Sequence, residues 1–178
     1  MNHIRRVTLV GLGMAMLAAT FAFGQAGGEK TEAQKSFDKL KSFAGTWDAV
    51  LSGTGPEFDG KTMHITLRVT STGNAVMHEM TGLAGRPDNP ITMFYVEGNQ
   101  LMLTHYCDAG NRPRMTGKLS PDGKSVEFEF VDVSGSTQYG HMHHALFTSI
   151  DENHHSEEWT FMVGEKPVHA HFELTRAK

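Results

Sequence analysis

At Gly45 the hydrophobic period of this chain changes from helical to extended, and it does not change back. Ahead of that point Phe37, Leu40 and Phe43 fall on one face at helical spacing. This predicts a short helix, beginning as early as Thr31, that Gly45 ends. Beyond it apolar and polar residues alternate, most clearly at Met63, Ile65, Leu67 and Val69 and at Val126, Phe128 and Phe130. Candidate strands cover 46–53, 61–71, 74–83, 90–97, 100–107, 112–119, 125–133, 140–150, 154–163 and 167–176. Turn chemistry separates them, as in Asp59-Gly60, Thr72-Gly73-Asn74, Gly98-Asn99, Pro121-Asp122-Gly123 and Gly164-Glu165-Lys166. Most links suit hairpins, and no helical stretch is long enough for a parallel crossover. The expectation is an all-β fold: one antiparallel up-and-down barrel of about ten strands, closed so that no sheet edge is left, with the helix plugging one end. The same alternation also suits a β-sandwich.

The first residues have a different logic. Met1 to Arg6 is basic, Val7 to Phe23 is apolar, and Phe23-Gly24-Gln25-Ala26 supplies small residues. That order predicts a secretory signal peptide over 1–26 and an exported, periplasmic or extracellular chain. The apolar run barely reaches the roughly 20 residues a bilayer span needs, so a membrane anchor after cleavage is not expected. Residues 27–35 read as a flexible polar segment, and 36–178 as the barrel domain with its helix. Removing 1–26 takes Arg5 and Arg6 from 16 Lys+Arg and none of the 20 Asp+Glu, which moves the formal charge from −4 to −6. An acidic chain without a basic stripe is a poor nucleic-acid binder. Cys107 is the single cysteine, so no internal disulfide can form. The core must hold the fold.

Leu40-Lys-Ser-Phe-Ala-Gly-Thr-Trp47 resembles the helix, glycine and tryptophan opening of lipocalin-like (calycin) barrels. Leu103 to Cys107, Gly110 to Met115, Gly140 to His143 and Glu158 to Phe161 resemble an uncharacterised group of exported bacterial lipocalin-like proteins. The resemblance implies a barrel across nearly the whole mature chain and implies no particular activity. A looser similarity to nitrobindin-type haem barrels rests on Gly45-Thr-Trp47 and on His169-Ala-His171 near the C-terminal strand. It implies a histidine ligand to haem iron. Val168, Ala170, Phe172 and Leu174 form the apolar face there, however, so alternation turns His169 and His171 outward, and an axial ligand must face its pocket.

In a meander, odd strands end where even strands begin. His105, Tyr106 and Cys107 close the fifth strand, Arg112 and Arg114 open the sixth, Asp132 closes the seventh, and His141, His143 and His144 open the eighth. All gather at one mouth. His105 shares a face with Leu101 and Leu103. A hairpin centred on Glu152 pairs Ala145 with Trp159 and Phe147 with Glu157, which predicts His141 and His143 inside and His144 outside. Asp132 shares the face of Phe128 and Phe130 unless a bulge intervenes. Candidate ligand contacts are therefore His105, Tyr106, Arg112, Arg114, His141, His143 and Trp159, with the arginines suited to a carboxylate. Candidate ligands for zinc or copper are His105, His141, His143 and Asp132, because histidines two apart on a strand project from one face. No compact metal motif fixes that choice, and the same imidazoles suit a hydrogen-bonded rim. Cys107 reads as a small buried hydrophobe. His155 and Glu157, at the opposite end, read as a solvated or hydrogen-bonded rim pair. The function expected is binding of a small amphipathic or hydrophobic ligand. The alternative is a His-ligated metal or haem protein, or a metal-assisted enzyme built on the same histidines.

Overall fold

A computed structural model describes residues 29–83 and 89–178, so the signal-peptide reading of 1–26 lies outside the described residues. One helix, α1 (Glu32–Ser42), precedes ten strands: β1 (Gly45–Ser52), β2 (Thr62–Thr70), β3 (Ala75–Thr81), β4 (Ile91–Glu97), β5 (Gln100–Tyr106), β6 (Arg112–Leu119), β7 (Ser125–Ser134), β8 (His141–Ser149), β9 (His154–Val163) and β10 (Lys166–Arg176). Each strand pairs antiparallel with its sequence neighbours, and β1 closes on β10. The barrel forms and the sandwich does not. The inward residues make one core, in which Ile65, Val76, Phe94, Leu103, Met115, Phe128 and Phe147 are fully enclosed. Each such large side chain contributes on the order of 1.5–3 kcal/mol by leaving water.

The helix starts at the earliest expected point, Thr31, and so reaches into the 27–35 segment read as flexible. Thr31 Oγ1 accepts from Gln34 N–H at 3.2 Å, and Gln34 Oε1 accepts from Thr31 N–H at 3.1 Å. This reciprocal cap satisfies two otherwise orphaned amides, so residues 31–35 form the cap and first turn of α1 instead of a flexible segment. The apolar face of α1 buries Phe37 and Leu40 against one end of the barrel. Buried Ser36 fastens it there, its hydroxyl accepting from Leu119 N–H at 3.0 Å.

Trp47 completes the closed end. Its Nε1–H donates to Phe43 O at 2.9 Å, and the Arg176 guanidinium lies 4.1 Å over its ring. Arg176 also donates to the carbonyls of Ala44 and Glu152, tying the last strand to the plug. Gly45 is required at this crossing, since its φ of +145° is unfavourable for side chains and a Cβ would run into Arg176. Among the described residues no helix covers the opposite end.

Candidate functional site

The open half of the barrel encloses a cavity of about 810 Å³. Its wall is largely apolar, with Leu51, Met63, Met80, Met142, Phe161 and Phe172 among the lining residues, and His105 and Trp159 at its inner side. Volumes of roughly 300–1,000 Å³ with a few placed polar groups are typical of small-molecule sites.

His105 faces inward, as its alternation with Leu101 and Leu103 implies. It stands directly across from Thr92 on β4, and its Nδ1 meets Thr92 Oγ1 at 2.8 Å. Nε2 has no hydrogen-bond partner among the described residues and is not one of the enclosed polar atoms; it opens on the cavity. Burial, and after it repulsion from His78, pushes the His105 pKa down to about 4, against a smaller opposing pull from Asp108. At neutral pH the ring is uncharged.

Beneath Trp159 lies a polar knot. His155 and Glu157 form the hydrogen-bonded pair of the two expected alternatives, but both are buried in the interior and not solvated at a rim. The Glu157 carboxylate accepts from His78 Nε2 at 3.0 and 3.3 Å, from His155 Nε2 at 3.2 Å and from Trp159 Nε1 at 3.1 Å. Burial pushes this carboxyl up, but the electrostatic pull of His78 and the hydrogen bonds from both histidines outweigh it and hold the pKa at about 2. His155 in turn packs edge-on to Trp47 at 4.2 Å and against Phe43 at 4.8 Å, which joins the knot to the plugged end. Glu157 thus fixes the indole whose ring, 5.5 Å from that of His105, walls the cavity.

The signal for this knot was present. Phe147 pairs with Glu157, so an acid stands on the face of Trp159. His78 alternates with buried Val76 and Met80 in the same way, and Thr92 with Phe94.

The other expected contacts separate. The pairings Ala145↔Trp159 and Phe147↔Glu157 form, but a bulge lies between Met142 and His144. The extra residue inverts the parity upstream. Met142 and Phe161 pair and line the cavity, while His141 and His143 leave it. Both rings instead pack on Phe130 at 4.9 and 4.6 Å, beyond the last β7–β8 pair, Glu129↔His144. Burial and then His141 lower the His143 pKa. His144 points out, as anticipated, and meets Glu127 at 3.0 Å.

A second irregularity, between Arg114 and Met115 in the β6–β7 pairing, turns Asp132 outward. There it pairs with Arg114 through two hydrogen bonds of 2.9 and 2.5 Å on the half-exposed outer wall. Arg112 is exposed, and Tyr106 is 49% exposed; with Asn111 they border a smaller groove that shares Pro90, Cys107, Asp108 and Gly110 with the cavity. The set His105, His141, His143 and Asp132 is therefore not brought together. On the outer wall one nitrogen of His144 and one oxygen each of Glu127 and Glu129 lie within 4.8 Å of one another. His169 and His171 lie outside too, beside Thr160 and Glu158 respectively. Cys107 is half-buried at the cavity rim, where the sequence suggested a core position.

No protein-family model and no curated protein matches the chain. Among solved structures, that of Rv2717c from M. tuberculosis is similar, with a TM-score of 0.55 and 15% identity over 80% of this chain and 98% of that one. At that identity the likeness speaks for the barrel fold alone.

Proposed function

We propose that this protein is an exported barrel that carries a small, largely apolar ligand in the cavity of its open half. The observation that carries this reading is the space of about 810 Å³, largely apolar, plugged at one end and lined by one imidazole among the described residues, that of His105. Burial of apolar surface supplies the affinity, and His105 supplies the orienting contact. The arginines expected to meet a carboxylate do not line this space among the described residues. Export rests on the charge and apolar order of residues 1–26.

The test uses the neutral dye N-phenyl-naphthylamine, whose emission rises in apolar surroundings. Saturable binding at one site is expected. Ala170→Phe, which fills the cavity wall opposite Trp159, should abolish it without lowering the unfolding temperature by more than a few degrees. Dye binding unaffected by Ala170→Phe would place the site elsewhere. For export, the secreted chain should begin between Gln25 and Gly27 on N-terminal sequencing.

A further inference from the structure

The tautomer of His105 follows from its partner. Thr92 is buried, and its hydroxyl has one hydrogen-bond partner among the described residues, His105 Nδ1. If Nδ1 carried the proton, the Thr92 hydroxyl hydrogen would be enclosed with nothing to receive it, an arrangement proteins avoid. Thr92 therefore donates, Nδ1 accepts, and the ring's proton sits on Nε2. The low pKa agrees with a ring that carries only this one proton. What the ring presents to the cavity is a neutral N–H donor.

The rest of the wall narrows the choice. Among the described lining residues the one charged side chain is Asp108, an acid; Arg114 pairs with Asp132 on the outer wall, and Arg112 borders the adjoining groove. A buried carboxylate would meet no described cation here, and an ammonium seated at His105 would meet a donor, with Asp108 alone among the described lining residues to answer its charge. We infer that the cavity selects a neutral, mostly apolar molecule bearing one oxygen acceptor, the carbonyl of a ketone, ester or amide, which receives the Nε2–H of His105. This rests on the reading of the cavity as the ligand site.

Four probes of matched chain length separate the possibilities by displacement of the dye at neutral pH: undecane, methyl nonyl ketone, undecanoate and undecylamine. The ketone is expected to bind about tenfold more tightly than undecane, the worth of one neutral hydrogen bond, and more tightly than either ion. His105→Phe should bring the ketone down to the alkane while leaving the alkane bound, and His105→Gln, which keeps a donor, should retain part of the preference. Long-range nitrogen NMR of labelled histidine should show the His105 proton on Nε2. Equal binding of ketone and alkane, tightest binding of either ion, or a proton on Nδ1 would overturn this inference and leave the cavity reading standing. Displacement by none of the four would overturn both.

Discussion

At the closed end of the barrel His78 and His155 share one buried carboxylate, whereas at the open end His105 meets a threonine hydroxyl and a cavity. Both arrangements remove imidazoles from water, and they answer the cost differently. The knot gathers three N–H donors around Glu157, leaving the charge hydrogen-bonded on both oxygens. His105 has no carboxylate hydrogen-bonded to it among the described residues and stays uncharged, which leaves one nitrogen for something outside the protein. The lesson is that a polar group facing a barrel's interior is not by itself a ligand contact. The saturated cluster builds the wall, and the unsaturated ring next to the empty volume is the one available for recognition.

The largest effect should come from the closed half. Glu157→Ala strips the acceptor from two imidazoles and an indole, and is expected to cost about 3–5 kcal/mol in chemical denaturation. A loss under about 1 kcal/mol would mean that the knot contributes little and that the contrast between the halves is superficial.

Acid should separate the halves by pH window. The folded His105 pKa, about 4, lies below the ordinary 6.5, so the unfolded chain binds this proton first and stability falls as pH drops from 6.5 to 4. That component is on the order of 3 kcal/mol, and it should be missing from His105→Gln. Glu157 acts lower. With a folded pKa of about 2 against the ordinary 4.5, its contribution is fully present above 4.5 and is lost as pH falls toward 2. Denaturant titrations at stepped pH check both windows. A His105→Gln protein as acid-sensitive as the parent between pH 6.5 and 4 would show that His105 titrates normally.

The smallest effect is expected outside. Arg114 and Asp132 pair on the solvent-facing wall, where the ion pair holds the carboxyl below its usual range. Arg114→Ala should leave the unfolding midpoint and the dye affinity unchanged within error, because exposed pairs stabilise little. A clear loss of dye affinity would return Arg114 to the site.

Much of this was legible in the chain. Period-two alternation is long-range information repeated in every strand, so all ten strands, the closure and the plug could be read from residues such as Met63 to Val69 and Phe37 to Phe43. The inward setting of His105 followed from Leu101 and Leu103. His141, His143 and Asp132 did not follow, because one bulged residue in β8 and another irregularity in β7 invert every side chain beyond them, and no turn residue announces either. The inward parity of Glu157 and His78 was legible, but their meeting was not. Glu157 and His78 come from strands far apart in sequence, and only a closed barrel brings them to 3.0 Å.

The two tryptophans give the most direct test, since Trp47 sits in the closed end and Trp159 walls the cavity. The measurement is tryptophan emission during titration with methyl nonyl ketone, in Trp47→Phe, where Trp159 alone reports, and in Trp159→Phe, where Trp47 alone reports. A saturable change is expected from Trp159 and none from Trp47. A change reported by Trp47 alone would contradict the assignment of the ligand to the open half.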